Sequence, residues 1–248
     1  MEDPLVIALA VCLTFFIAGT VKGIIGMGLP TVAIGLLSLA MSPAQAAAIL
    51  IVPSFFTNVW QGAVGPALVP LLRRLWPLLL GVALGTWAGV GLLSPENVRQ
   101  TLAALGATLL VYGIVGLTRL NFTVPARAER WVAPIAGALT GLISAGTAIF
   151  VMPGVPYLHA LGLQRDELVQ GLGMLFTVAT VALGFNLFLV GAIQASAAGL
   201  SLLALLPALG GMYLGQVLRR RFAPEVFRRC FFAGMLLLGA HLLVRALV

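Results

Sequence analysis

Eight apolar blocks, most of them about 20 residues long, constrain this 248-residue chain more than any other feature. They lie at roughly 4–41, 45–64, 75–93, 98–118, 131–158, 167–194, 196–218 and 226–248. About 20 apolar residues in a helix span the hydrocarbon core of a bilayer, which is roughly 30 Å thick. Charged residues make up 8% of the chain, whereas a soluble domain carries about a quarter. The sequence therefore predicts an all-α, polytopic transmembrane helical bundle.

The first and fifth blocks are too long for one crossing, and both contain the same pattern of glycines. Residues 19–28 have the sequence GTVKGIIGMG, and residues 137–146 have the sequence GALTGLISAG. Proline follows each cluster, at Pro30 in the first block and at Pro153 and Pro156 in the fifth. Because proline removes a helix donor and clashes with the preceding turn, each block is predicted to break into two pieces.

The order of landmarks repeats beyond these glycines. Two glycines four residues apart precede PENVR in one half of the chain and PEVFR in the other. The glycines paired in this way are Gly85 and Gly89 with Gly211 and Gly215. We therefore predict two transmembrane repeats within one membrane domain, residues 1–122 and 123–248.

The basic residues indicate how the repeats are oriented, because cytoplasmic loops are enriched in Lys and Arg. If the first and fifth blocks turn back at their glycines, all basic residues except Arg99 and Arg245 share one side. That side holds Lys22, Arg73, Arg74, Arg119, Arg127, Arg130, Arg165, Arg219, Arg220, Arg221, Arg228 and Arg229. The halves are therefore predicted to be inverted, each with five crossings or with four and a re-entrant hairpin.

Composition also excludes several classes of protein. The net charge of +7 does not indicate a nucleic-acid partner, because the basic residues lie in short segments between apolar runs. The acidic N-terminus lacks the basic region of a cleaved signal peptide, so the first block is expected to be retained. Cys12 and Cys230 lie in or beside apolar runs and predict neither a disulfide nor a metal site. No cofactor is expected.

The glycines support two interpretations. Small residues four positions apart let transmembrane helices pack closely. We predict such packing at Gly137/Gly141 and Gly211/Gly215. Closer spacing followed by proline favours unwound backbone, and helix N-termini that begin after such breaks direct N–H groups at an anion. We predict these breaks at Gly23, Gly26 and Gly28 in the first cluster and at Gly141 and Gly146 in the second, facing each other near the midplane.

Polar residues inside the apolar blocks are candidates for a transport site. Lys22, the only lysine, is either an anion ligand or a topology residue that reaches the cytoplasmic surface. Ser54, Thr57, Asn58 and Gln61 share one helical face, which predicts either a pathway lining or an interhelical contact. The predicted substrate-binding residues are Thr20, Lys22, Gly23, Gly26, Gly28, Pro30, Ser54, Thr57, Asn58, Gly141, Ser144, Gly146, Thr147 and Thr177.

The acidic residues limit the coupling mechanism. All seven fall at termini or in predicted loops, so no carboxylate inside the membrane is available as a proton relay or a sodium ligand. Coupling would then use backbone groups, histidine, water or the substrate. An intramembrane serine hydrolase, with Ser144 and a later His241, is the enzymatic alternative. The glycine spacing around Ser144 differs from the nucleophile motif, so we predict no enzyme.

The segment 18–28, its return at 136–146 and the region 43–58 resemble the TauE/SafE family of sulfite and organosulfur exporters. This resemblance covers nearly the whole chain and implies about eight helices in two repeats. It departs at Ser144-Ala145, where the family more often has a glycine-rich run. It implies a multi-pass transporter in the cell inner membrane for small sulfur-containing anions such as sulfite, sulfonate or sulfoacetate. An uncoupled anion channel remains the alternative, and the sequence leaves open whether the protein forms a homodimer.

Overall fold

The computed structural model describes residues 4–118, 123–193, 195–219 and 224–247, and within them the chain forms ten α-helices and no strand. Seven helices are long and apolar enough to cross a membrane, as expected for a polytopic bundle. The helices are α1 (Pro4–Ile25), α2 (Leu29–Leu37), α3 (Pro43–Ala63), α4 (Leu68–Ala88), α5 (Val98–Thr118), α6 (Ala126–Thr147), α7 (Gly154–Ala160), α8 (Arg165–Leu189), α9 (Ala195–Leu218) and α10 (Pro224–Leu247). A 3-10 turn, Pro95–Asn97, precedes α5.

Some sequence predictions fall outside these ranges. The repeat boundary predicted at residue 122 lies among residues that the structure does not describe. The same is true of the acidic N-terminal residues and of three of the basic residues predicted to be cytoplasmic. These residues are Glu2, Asp3, Arg119, Arg220 and Arg221.

Both long apolar blocks break into two helices, as predicted: the first within its glycine cluster and the second just after its cluster. α1 ends at Ile25 and α2 begins at Leu29, with Gly26 at φ 88° and Gly28 at φ 102° between them. Pro30 lies in the first turn of α2, where its missing N–H removes no helical bond. The second break follows α6 and starts at Ala148, which is left-handed with φ 56°. We call these segments the first and second breaks.

The structure corrects the role predicted for three glycines. Gly23, Gly141 and Gly146 lie within α1 or α6 rather than in unwound backbone. A Cβ at Gly23 would overlap the Met212 carbonyl oxygen of α9, and one at Gly141 would overlap the Val82 carbonyl oxygen of α4. Gly23 and Gly141 are therefore needed for close contact between helices. Both glycines remain helical, so they do not interrupt α1 or α6.

Two helix pairs, α1 with α9 and α4 with α6, make matching glycine contacts. In each case a Cβ on the glycine would meet a backbone carbonyl oxygen of the partner helix. The matching contacts are Gly19–Ala208 with Gly137–Leu78, Gly23–Met212 with Gly141–Val82, Gly211–Phe16 with Gly81–Pro134, and Gly215–Thr20 with Gly85–Ala138. Residues of α1 and α6 match at a constant spacing of 118 positions, and those of α4 and α9 at 130. The close packing predicted at Gly137/Gly141 and Gly211/Gly215 is confirmed.

This correspondence also corrects the pairing of glycines that was predicted from the sequence. Gly81 and Gly85, rather than Gly85 and Gly89, occupy the places of Gly211 and Gly215. The pairing predicted from the sequence was wrong by one helical turn. α4 and the residue after it provide three glycines at four-residue intervals, Gly81, Gly85 and Gly89, and the sequence alone does not show which two match. The prolines inside these helices, Pro77 in α4 and Pro207 in α9, have the same 130-residue spacing.

The contacts fix the relative directions of the helices. α3 and α8 are antiparallel, because Asn58 contacts Thr180 while Gly62 contacts the earlier Gln170. α5 and α10 are also antiparallel: Arg99, at the start of α5, donates to the Ala246 carbonyl oxygen at the end of α10.

The first block folds as a helical hairpin. Lys22 near the end of α1 contacts Thr57 and Asn58 of α3. Gly26, four residues after Lys22, contacts Gln61, which is also closer to the end of α3. The C-terminal ends of α1 and α3 therefore lie together. Because α2 connects the end of α1 to the start of α3, it runs back toward the start of α1.

Candidate functional site

A lysine buried among neutral groups is the centre of the candidate site. The Lys22 side chain is 2% exposed, so its ammonium does not reach the surface. Its Nζ donates to Thr57 Oγ1 at 3.2 Å and to Asn58 Oδ1. No carboxylate pairs with it among the residues that the structure describes. A buried charge is costly unless it is paired, and two neutral acceptors leave the charge of this ammonium uncompensated.

Asn58 connects this lysine to the other half of the chain. Its Oδ1 accepts from Lys22, and its Nδ2 donates to Thr180 Oγ1 of α8 at 3.3 Å. Thr180 in turn donates to the Phe176 carbonyl oxygen of its own helix. Asn58 and Thr180 are both fully buried. The polar face of α3 is therefore at least partly an interhelical contact, which was one of its two predicted roles.

Gln61 ties the first break to two helices. Its Nε2 donates to the Gly26 carbonyl oxygen at 2.8 Å and to the Val169 carbonyl oxygen of α8 at 2.9 Å. The Gly26 carbonyl oxygen at the break thus gains a donor from α3, which satisfies a backbone group that lipid would leave unpaired.

Two buried hydroxyl groups near Lys22 and the first break have no hydrogen-bond partner among the residues that the structure describes. They belong to Ser54, one turn before the α3 residues that contact Lys22, and to Thr31 in the first turn of α2. α2 begins at Leu29, its N-cap residue Gly28 provides no side-chain cap, and Pro30 contributes no N–H to its first turn. An uncapped helix start presents N–H groups and a partial positive charge. Together with Lys22, these groups provide an electropositive and incompletely satisfied environment.

Three residues predicted to bind substrate face elsewhere. Thr20 donates to the Phe16 carbonyl oxygen of its own helix at 2.8 Å and lies where Gly215 of α9 approaches α1. Gly23 is at the same α1–α9 contact. Thr177 donates to the Gly173 carbonyl oxygen within α8 at 2.7 Å. The hydroxyl groups of Thr20 and Thr177 thus donate to carbonyl oxygens of their own helices and do not contact Lys22.

The predicted residues of the second half form a separate group. Ser144 Oγ lies 3.3 Å from Thr86 Oγ1, and Asn186 Nδ2 donates to the Thr86 carbonyl oxygen at 2.5 Å. Gly146 and Thr147 line a cavity of about 410 Å³ between α5 and the end of α6.

The first break, in contrast, is covered by a side chain, because the ring of Phe231 lies over Gly28.

The two breaks do not face each other near the midplane, which corrects that prediction. Gln61 joins the first break to Val169 near the start of α8, whereas Ser144 is linked through Thr86 to Asn186 near its end. Asn186 comes 17 positions after Val169 in α8, a rise of about 25 Å along the helix. The two breaks therefore lie toward opposite ends of the bundle.

Comparison with known families identifies the chain. A sequence model of the family described as "Sulfite exporter TauE/SafE" matches residues 11–242, nearly the whole chain. This chain belongs to the TauE/SafE sulfite exporter family. No curated protein and no solved structure matches it significantly. Family membership agrees with a multi-pass membrane transporter, and the resemblance noted in the sequence is confirmed.

For this TauE/SafE protein, the hydrolase alternative has no support in the geometry. Ser144 Oγ donates to the Gly141 carbonyl oxygen at 2.8 Å, and its other neighbour is the hydroxyl of Thr86. His241 is an exposed residue of α10. A serine nucleophile needs a base within hydrogen-bond reach, and no described residue provides one at Ser144.

Sequence reasoning missed three residues that the TauE/SafE fold brings into these networks. Thr86 and Gln170 were not singled out, and Gln61 was assigned to the polar face but not to the site. Gln170 Nε2 donates to the Gly62 carbonyl oxygen, and its Oε1 accepts from the Ala67 N–H. A lone threonine in α4 gives no local signal, whereas a buried glutamine in an apolar helix is a signal that a partner is needed.

Proposed function

We propose that this protein is an inner-membrane transporter of small sulfur-containing anions such as sulfite, sulfonate or sulfoacetate. The observation that carries the proposal is Lys22, a buried cation without a carboxylate partner, next to a broken helix in a TauE/SafE protein. A small anion at Lys22 would compensate the charge and accept from the uncapped start of α2. Thr57 and Asn58 hold the ammonium in position, and the Ser54 hydroxyl has no hydrogen-bond partner among the described residues.

We further propose that the two halves are inverted repeats and that transport uses alternating access between them. α5 and α10, the last helix of each half, are antiparallel, as are α3 and α8. Equivalent helices become antiparallel when the two-fold axis lies in the membrane plane. Capping boxes at Ser42 and Gln164 begin α3 and α8 and are 122 positions apart. Asn58 and Thr180 have the same spacing, so their hydrogen bond would join equivalent residues near the axis.

The unequal surroundings of the two breaks support a state open to one side. Phe231 covers Gly28 at the first break and makes edge contacts with Tyr112 at 6.0 Å between ring centroids. At the second break, Gly146 and Thr147 line the cavity between α5 and α6. If the aromatic cover moved to the second break and a cavity opened at the first, the Lys22 site would be exposed first to one side of the membrane and then to the other.

Replacement of Lys22 tests the proposed substrate site. We expect Lys22→Met to lower sulfite efflux from proteoliposomes by about 10- to 100-fold, because a hydrogen-bonded charge contributes about 1.5–3 kcal/mol. Lys22→Arg keeps the charge and is expected to retain part of the flux. Arg73→Met removes an exposed charge at the start of α4 and serves as the matched control. Wild-type efflux by inserted Lys22→Met protein would refute the assignment of the anion to Lys22.

An uncoupled anion channel is the second candidate, because the described membrane helices contain no acidic residue at Lys22 to serve as a proton relay. The two mechanisms differ in their response to imposed gradients. Alternating access coupled to an ion predicts anion accumulation driven by a pH or sodium gradient in proteoliposomes. Flux that only follows the anion's own gradient would favour the channel.

A further inference from the structure

Three buried side chains meet where α4, α6 and α8 approach the second break. Thr86, Ser144 and Asn186, which we call the second-break cluster, are 0%, 0% and 5% exposed. The hydroxyl oxygens of Thr86 and Ser144 lie 3.3 Å apart. The Asn186 amide nitrogen donates to the Thr86 carbonyl oxygen at 2.5 Å. Thr86 therefore joins the other two residues.

The hydroxyl hydrogens of this cluster are used elsewhere. Thr86 Oγ1 donates to the Val82 carbonyl oxygen at 2.8 Å, and Ser144 Oγ donates to the Gly141 carbonyl oxygen at 2.8 Å. Each hydroxyl has one hydrogen, and when both hydrogens form these 2.8 Å bonds, none is left for the 3.3 Å contact, in which either oxygen could otherwise be the donor. Two oxygens with free lone pairs therefore face each other in a buried site.

Asn186 adds a third acceptor. Its nitrogen must face the Thr86 carbonyl oxygen, because the reverse orientation would bring two carbonyl oxygens to 2.5 Å. Its Oδ1 is buried and has no hydrogen-bond partner among the described residues. A buried acceptor without a donor is costly, so the cluster requires a cation or a water molecule.

In the first half of the chain, a similar set of oxygen atoms binds a cation that the protein itself provides, the Lys22 ammonium. The Lys22 ammonium is bound by one amide oxygen, from Asn58, and one hydroxyl oxygen, from Thr57. The second-break cluster offers one amide oxygen and two hydroxyl oxygens, and no described cationic side chain contacts them. The α6 residue that matches Lys22 at the 118-residue spacing is Thr140, whose hydroxyl donates to Ala136 within its own helix.

We propose that the second-break cluster binds a sodium ion. Hard cations take neutral oxygen ligands, and transporters with broken helices coordinate sodium with such oxygens near the C-terminal ends of half-helices. Ser144 lies in the last turn of α6, where the helix dipole presents partial negative charge. The role of this ion rests on the proposed transport function: its occupancy would link anion flux to a sodium gradient.

Sodium binding is measurable on the purified full-length protein without a transport assay. We expect NaCl to raise the melting temperature in a saturable way, and KCl and choline chloride at equal ionic strength not to do so. Thr86→Val and Ser144→Ala each remove one ligand oxygen. Each is expected to weaken the apparent sodium affinity by about tenfold or more. Thr86→Ser keeps the oxygen and is expected to keep the sodium response.

Thr140→Val provides the matched control. It makes the same exchange of hydroxyl for methyl on α6, one turn before Ser144 and outside the cluster, and should leave the sodium response at its wild-type level. Equal stabilisation by sodium, potassium and choline would mean that water fills the cluster, and would overturn the proposal. Unchanged sodium affinity in folded Thr86→Val and Ser144→Ala proteins would overturn it as well.

Transport measurements separate this proposal from the proposed function. Sulfite flux that does not depend on sodium would remove the coupling role of the cluster and leave the transport function intact. Saturable sodium binding without sulfite flux under any gradient would support the cation site and reject the substrate.

Discussion

At the scale of single residues, the site depends on a charge that occurs in one half only. The α6 residue that matches Lys22 at the 118-residue spacing is Thr140, so only one of these two matched positions carries a cationic side chain. Asn58 is the residue that makes this cation tolerable, because it binds the ammonium and anchors itself on Thr180. The strength of this link decides how firmly the ammonium is positioned.

A double-mutant cycle measures that link. We expect Asn58→Leu to lower the free energy of unfolding by about 1–3 kcal/mol, because it leaves the buried ammonium with Thr57 alone. In a Lys22→Met background the same change should cost less, giving a coupling energy above about 0.5 kcal/mol. Thermal unfolding in detergent provides the measurement. Thr177→Val, whose hydroxyl contacts only its own helix, should be additive with Lys22→Met. Additivity of Asn58→Leu would contradict the link.

At the scale of helices, glycines with similar sequence surroundings have different tasks. Gly26 and Gly28 occupy left-handed backbone, which ends α1 and starts α2. Gly23 is helical and lies against Met212 of α9, where any side chain would collide with backbone. One glycine cluster therefore contains both a packing position and a break.

The packing role of Gly23 predicts a loss of stability on adding one methyl group. Gly23→Ala is expected to lower the free energy of unfolding by about 1–3 kcal/mol, because α1 and α9 must separate. Gly210→Ala is the control: no atom lies within 4 Å of the added methyl, and alanine in a helix gains about 0.5–1 kcal/mol over glycine. Thermal unfolding of the two variants compares the effects. A Gly23→Ala protein as stable as wild type would show that the two helices have room to move.

At the scale of the whole molecule, the helix directions gather most basic residues at one end. Eight arginines of the described chain lie at helix ends or starts on that side: Arg73, Arg74, Arg127, Arg130, Arg165, Arg219, Arg228 and Arg229. Arg74 there pairs with Glu129 at 2.6 Å. Arg99 and Arg245 lie together at the opposite end, where they donate to the ends of α10 and α2. From the positive-inside rule we expect the end with more arginines to face the cytoplasm.

Cysteine labelling tests this orientation. In a background without Cys12 and Cys230, a membrane-impermeant thiol reagent is expected to label Glu96→Cys in intact cells. Arg127→Cys should be labelled only after the inner membrane is permeabilised, because it lies at the basic end. Glu96 and Arg127 are both exposed, so whether the reagent reaches each cysteine depends only on the side of the membrane. Labelling of Arg127→Cys alone in intact cells would reverse this orientation, and labelling of both positions would contradict their placement at opposite ends of the bundle.

The sequence by itself determined the membrane-helix class, the two breaks and the family. These features depend on local properties: runs of apolar residues, glycine followed by proline, and the N–H that proline lacks. The sequence also identified Lys22 and Asn58 as unusual, because a charged or amide group in an apolar helix needs a partner.

Only the tertiary structure decided which partners these groups have. Whether Gly23 packs or unwinds depends on α9, which is almost 190 residues away in the chain. Thr86, Ser144 and Asn186 come together only because α4, α6 and α8 are neighbours. A side chain's own helix fixes the face on which it lies, but the atoms opposite that face come from distant helices. Local sequence carries no information about them.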